Sequence, residues 1–109
     1  MENIKNILFV CTANVNRSPT CMRWFLKNRP QYNTKSCGCF YSYYTPMDKT
    51  VLDWADKIYV MDLEQETYIS RKYPEYLNKV EVVGISDQYD PDETALIELI
   101  EYWVKKVKL

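Results

Sequence analysis

The sequence predicts an α/β fold, a single doubly wound four-stranded parallel sheet with helices on both faces. Three observations predict it. Four short apolar segments, around residues 6–10, 34–40, 57–61 and 80–83, alternate with segments of helical pattern. The first of them, Asn6-Ile7-Leu8-Phe9-Val10, is continuously apolar after a polar start, as a strand covered on both faces requires. The last helical segment carries an apolar face of period 3.6. With 109 residues, 47% of them hydrophobic and 15% aromatic, the chain can bury one core and is too short to divide, so residues 1–109 are read as one domain.

Each element has a local reason. After the first strand and a short loop, Ser18-Pro19 reads as an N-cap followed by proline at the first helical position, with Cys21, Met22, Phe25 and Leu26 on one side and an end before Pro30. Thr34 to Phe40 is the weakest strand. Thr45-Pro46-Met47-Asp48 starts a second helix that leads into Val51, Leu52 and Ala55, and Lys57-Ile58-Tyr59-Val60-Met61 is the third strand. Asp62-Leu63-Glu64-Gln65 has capping-box spacing, so a third helix runs toward Lys72 with Pro74 beyond it. Val80-Glu81-Val82-Val83 is the fourth strand. In the last helix Asp90 is expected to cap, Pro91 to take the first position and Glu93 the third. Its buried face is Leu96, Ile97, Ile100, Trp103, Val104 and Val107, with acids at the start and lysines at the end.

The composition narrows the function. A net charge of -1 and a pI near 5.4 offer no positive field for nucleic acid or an anionic membrane, so neither is an expected partner. No apolar run reaches the roughly 20 residues of a membrane span, and Met1-Glu2-Asn3-Ile4-Lys5 does not resemble a signal peptide, so a cytoplasmic location is expected. The chain has four cysteines and no histidine, which removes Cys-His and Ser-His catalysis. A reactive cysteine here needs another activator.

In an open parallel sheet the ligand site lies outside the carboxyl ends of the strands. Cys11-Thr12-Ala13-Asn14-Val15-Asn16-Arg17-Ser18 stands there, between the first strand and the first helix. Backbone N–H groups of Thr12, Ala13, Asn14, Val15, Asn16, Arg17 and Ser18 can converge with the helix terminus into an anion cradle. Cys11 would be its nucleophile, with the helix terminus, Arg17 and the Ser18 hydroxyl stabilising the thiolate. Arg17 can grip two phosphoryl oxygens with its fork, a contact lysine cannot reproduce. Asn14 suits a left-handed turn of the loop. The plain alternative, Cys11 as core filler and Arg17 as a surface charge, fits less well with a strand before and a Ser-Pro helix start after.

These residues resemble the low-molecular-weight protein tyrosine phosphatases, whose loop has the form Cys-x5-Arg-Ser directly after the first strand. Val10-Cys11, Asn14, the β-branched Val15 and Arg17-Ser18-Pro19 match that pattern, while Ser36-Cys37-Gly38 and Tyr59-Val60-Met61-Asp62 resemble the steps after its second and in its third strand. The family is usually longer, and Ala13 and Asn16 stand where it typically has glycine and often cysteine. The resemblance implies hydrolysis of phosphomonoesters, phosphotyrosine in proteins or a small ester, through a cysteinyl-phosphate, with no cofactor and no metal.

It also implies an aspartate that protonates the leaving oxygen and then activates water. Asp87-Gln88-Tyr89 keeps the aspartate and aromatic spacing in a loop free of a capping duty, whereas Asp90-Pro91 matches the family dipeptide but is explained by capping. Asp87 is preferred, Asp90 is second choice, and joint service stays open. Tyr89, Tyr41 and Tyr43 are candidate pocket walls, and Phe40 and Tyr44 extend that aromatic stretch. Asp62 reads as an N-cap. Cys37-Gly38-Cys39 lacks the spacing of a zinc pair.

Three other readings compete. A thioredoxin-coupled arsenate reductase needs downstream cysteines, and none follows Cys39. A sugar-transport phosphocarrier has no use for Arg17. A phosphate-binding or regulatory module that has lost turnover is the non-enzymatic alternative.

Overall fold

Alternation along the first strand decides the architecture. In β1 (Asn6–Cys11), Ile7, Phe9 and Cys11 enter one apolar cluster while Leu8 and Val10 enter the other, and all five are buried. A strand with two buried faces must lie inside a sheet that is covered on both sides. The computed structural model describes residues 4–12, 17–39, 46–86 and 88–109. Its further elements are α1 (Arg17–Asn28), β2 (Asn33–Gly38), α2 (Lys49–Trp54), β3 (Lys57–Val60), α3 (Leu63–Lys72), a 3-10 turn (Pro74–Lys79), β4 (Val80–Val82) and α4 (Thr94–Val107).

The four strands form a parallel sheet in the order β2-β1-β3-β4, with Val10 opposite both Cys37 and Val60, and Val60 opposite Val82. Helices α1 and α4 cover one face. Cys21 and Phe25 of α1 meet Leu96, Ile100, Trp103 and Val104 of α4 over Phe9, Tyr59 and Met61. Rings hold that layer together: Trp103 packs edge-on to Tyr59 at 4.7 Å between centroids, and Phe9 lies 5.0 Å from Phe25. The opposite face buries Leu52 and Ala55 beside α2, Ile69 of α3 and Tyr76 against Leu8, Val10, Ile58 and Val60. Each fully buried side chain of this size contributes roughly 1.5–3 kcal/mol of transfer free energy.

Helix starts depart from expectation in three places. Helix α1 begins at Arg17 rather than after Ser18, so Pro19 is its third residue; within the first turn proline costs no hydrogen bond. The start of α2 is set by Asp48, whose carboxylate accepts from the Val51 N–H at 2.9 Å, while Pro46 bridges to Gly38. The expected Asp90 cap of α4 is incorrect. Asp92 takes a left-handed backbone, φ 58°, which no α-helix can run through, so α4 begins only at Thr94 with Glu93 before it and no side-chain cap. The acids therefore precede α4 and do not enter its first turn, and Val107, expected on the buried face, is 37% exposed.

Candidate active site

The sheet order changes direction between β1 and β3, the place where an open parallel sheet of this kind takes its ligand. Backbone hydrogen bonds continue the ladder just past the strand ends. The N–H of Cys39 donates to Cys11 O at 3.0 Å, that of Met61 to Val10 O at 3.0 Å, and those of Gly84 and Ile85 to Met61 O at 3.0 and 2.9 Å. Gly84, at φ 87°, makes the turn that brings two successive amides onto one carbonyl, a conformation other residues adopt at a cost.

Cys11 ends β1 and is 3% exposed. Its Sγ lies 2.9 Å from Ser18 Oγ, and Ser18 is buried in the first turn of α1. A hydroxyl at that distance can donate to a thiolate, and the α1 terminus adds the positive end of its dipole. The other three thiols are pushed up by burial: Cys39 to about 12, with Cys21 and Cys37 also well above the ordinary thiol range, and in each case the charge of Cys11 adds to the effect.

Arg17 is 1% exposed, an expensive place for a guanidinium without partners. Its Nη1 donates to Asp62 Oδ2 at 2.8 Å and to Ile85 O at 2.9 Å, and Nη2 reaches Thr12 Oγ1 at 3.4 Å. Asp62 is at the same time the N-cap of α3, accepting from the Glu64 N–H at 3.0 Å and completing a capping box with Gln65, whose Oε1 accepts from the Asp62 N–H at 2.7 Å. The other end of the buried Gln65 amide donates to Thr12 Oγ1 at 3.2 Å. The carboxyl ends of β1, β3 and β4 thus all hold the arginine or the first loop residue. Among the described residues no three Cys, His, Asp or Glu side chains are grouped as metal ligands, and no helix is long and apolar enough to cross a membrane.

Solved structures share this fold over nearly the whole chain. The tyrosine phosphatase Wzb from Escherichia coli in complex with phosphate superposes with a TM-score of 0.79 at 22% identity, covering 95% of this chain and 96% of that one. The low-molecular-weight protein tyrosine phosphatase from T. tengcongensis gives 0.73 at 21% identity, with 95% of each chain covered. The chain has the fold of these phosphatases. The YwlE arginine phosphatase from Geobacillus stearothermophilus follows at 0.72 and 22% identity, covering 95% of this chain and 93% of that one. No protein-family profile and no curated relative matches the sequence.

Within this phosphatase fold the expected residues fall as follows. Cys11, Thr12, Arg17 and Ser18 come together at the carboxyl end of β1. Ala13, Asn14, Val15 and Asn16 of the loop, Tyr41 and Tyr43 of the aromatic stretch, and Asp87 lie outside the described residues. Tyr89 is half-buried and packs against the cluster that contains Cys11, its hydroxyl accepting from Gln88 Nε2 at 3.1 Å. Asp90 is exposed in the turn before α4, where its carbonyl accepts from the Glu93 N–H at 3.2 Å. Since it caps no helix, the capping ground for setting it behind Asp87 lapses, and the aspartate–aromatic spacing of Asp87-Gln88-Tyr89 is the ground that remains. Two residues were missed. Capping-box spacing marked Asp62 and Gln65 as local structure, and nothing in that spacing signals that the same two side chains reach Arg17 and Thr12.

Proposed function

We propose that this chain is a cysteine-dependent phosphomonoester hydrolase acting on phosphotyrosine in proteins. The observation that carries the reading is one pairing: the Cys11 thiol 2.9 Å from the Ser18 hydroxyl, beside a buried Arg17 held by Asp62 and the Ile85 carbonyl. A buried guanidinium next to a thiol at the end of a parallel strand, with a helix terminus behind both, is suited to a doubly charged anion and to the charge that develops in its transfer. The fold shared with phosphatases and the Cys-x5-Arg-Ser loop support the same reading.

In the first step Cys11 Sγ attacks phosphorus in line as the ester P–O bond breaks. The leaving oxygen takes its proton from an aspartate, Asp87 in our reading with Asp90 as second choice. Arg17 and the backbone amides of residues 12–18 bind the equatorial oxygens more tightly as they gain charge. In the second step the aspartate, now a carboxylate, removes a proton from water; the water oxygen bonds to phosphorus, the S–P bond breaks, and inorganic phosphate and the Cys11 thiolate are released. Ser18, at hydrogen-bond distance, stabilises that thiolate as it departs.

The test is hydrolysis of 4-nitrophenyl phosphate and of phosphotyrosine and phosphoarginine peptides between about pH 5 and 8, by wild type, Cys11→Ser, Asp87→Asn and Asp90→Asn. Cys11→Ser is expected to abolish turnover, and Asp87→Asn to reduce it roughly a hundredfold or more. A crippled Asp90→Asn with normal Asp87→Asn moves the acid and keeps the mechanism. Preference for the phosphoarginine peptide overturns the substrate, and an inactive wild type that still binds phosphate overturns the enzyme in favour of a binding module.

A further inference from the structure

The segment that carries both candidate acids leaves β4 at Gly84 and enters α4 at Thr94, and it is fastened at both ends to the unit that carries the phosphate loop. At its start Ile85 donates its N–H to Met61 O and its carbonyl accepts from Arg17 Nη1 at 2.9 Å. At its end Asp92 is tied to α1, the helix that opens with Arg17 and Ser18. The Asp92 N–H donates to Oγ1 of the buried Thr20 at 3.0 Å. Its carboxylate accepts two bonds from one guanidinium, Arg23 Nε to Oδ1 at 3.1 Å and Nη2 to Oδ2 at 2.7 Å. Three hydrogen bonds thus join one residue to a helix 69 and 72 positions earlier in the chain.

Two features separate this contact from an ordinary surface ion pair. Asp92 holds a left-handed backbone, which carries a cost for any residue with a Cβ and persists only where surrounding contacts impose it. The pairing is also fork to fork, so it fixes direction as well as distance. Its side chains are 44% and 54% exposed, so its contribution to global stability is small. What it fixes is where the chain turns. Asp87 and Asp90 lie five and two residues before Asp92 in the sequence, between the two anchors.

We propose that Thr20, Arg23 and Asp92 form a clasp that positions the acid-bearing segment relative to Cys11 and Arg17, and that it acts on proton transfer to the leaving group. None of the three touches substrate in this proposal; they are positioning residues. The inference rests on the phosphatase reading above, since it needs an aspartate of this segment to be the acid.

Leaving-group chemistry distinguishes such a role from a structural one. 4-Nitrophenolate departs with little help, whereas phenolate, the anion of an acid with a pKa of about 10, needs its proton in the transition state. The experiment measures kcat and kcat/KM for 4-nitrophenyl and phenyl phosphate, with wild type, Arg23→Ala, Arg23→Lys, Asp92→Asn and Thr20→Val, and follows melting temperature and competitive inhibition by phosphate. The expected result is a loss of kcat/KM, which reports transfer to Cys11 alone, of roughly tenfold with phenyl phosphate and about twofold or less with the nitrophenyl ester in Arg23→Ala and Asp92→Asn. Phosphate inhibition should not change, and Arg23→Lys, which keeps the charge without the fork, should fall between. Equal losses of kcat/KM on both esters, or none on either, overturn the clasp while leaving the phosphatase intact; kcat also contains hydrolysis of the shared cysteinyl-phosphate and is not the deciding quantity. A wild type that hydrolyses neither ester overturns the phosphatase reading itself, and the clasp with it.

Discussion

Replacing Asp62 by asparagine separates two duties that one carboxylate performs. Asparagine caps a helix about as well as aspartate, so the bond from the Glu64 N–H at 3.0 Å survives, while the charge opposite Arg17 at 2.8 Å is lost. Removing one partner of a fully buried ion pair costs about 3–5 kcal/mol, and an exposed pair contributes under about 1. Arg17 is buried, but the Asp62 side chain is 37% exposed, and Arg17 keeps the Ile85 carbonyl at 2.9 Å. The expected loss is therefore intermediate, about 2 kcal/mol, or a fall of roughly 10 °C in the melting temperature of a domain this size. Asp62→Ala removes the cap as well and should lose about 1 kcal/mol more. Urea unfolding of wild type and both variants at pH 7 gives the two increments separately. If the asparagine variant stays within about 0.5 kcal/mol of wild type, Arg17 is satisfied without the Asp62 charge, and Asp62 is only a cap.

Three further outcomes follow from the same structure. Gly84→Ala introduces a Cβ with no atom of the described residues beyond its chain neighbours within 4 Å, so its expected cost comes from φ 87°; a loss of about 1–2 kcal/mol is expected in urea unfolding, and an unchanged midpoint would mean the turn has relaxed. The Asp56 carboxylate accepts the N–H groups of Lys5 and Asn6 at 2.9 and 2.8 Å, which holds it below the usual carboxylate range. A depressed folded-state value stabilises the fold above the unfolded value near 3.9 and is lost as pH falls through the folded one, so Asp56→Asn should be less stable than wild type at pH 7 and converge with it in acid. Burial keeps Cys21, Cys37 and Cys39 as thiols at neutral pH, so mass spectrometry after brief iodoacetamide treatment at pH 7 should find label on Cys11, and label appearing first on Cys39 would contradict that ordering.

The fold was legible because its signals are local and repeated. Continuous burial of β1, the Asp62 capping box and the face of Leu96, Ile100, Trp103 and Val104 each follow from periodicity or capping chemistry within a few residues. The sequence failed as a guide at Asp90-Pro91-Asp92-Glu93, which satisfies the rules for a helix start and yet forms a turn. The competing term is tertiary. The bonds from Asp92 to Thr20 and Arg23 favour a left-handed residue where the local pattern favours a helical one, and no window of sequence around Asp90 contains either partner.

The same division runs through the site. Cys11, Arg17 and Ser18 were readable because loop chemistry places nucleophile, fork and hydroxyl within eight consecutive residues. The residues that make Arg17 tolerable in a buried position come from the ends of β3 and β4, 45 and 68 positions later. Their sequence signal is already spent on something else: Asp62 is fully accounted for as a cap, and Ile85 contributes only a carbonyl, which every residue has. A side chain with a sufficient local explanation gives no residual signal for a second, distant role. For this reason a capping residue at the carboxyl end of a strand adjoining the nucleophile's strand should be tested as a partner of the site's charged groups even when its cap explains it, and here that rule selects Asp62 among the described caps, since Asp62 stands just beyond the end of β3 at Val60 whereas Asp48 lies well past the end of β2 at Gly38.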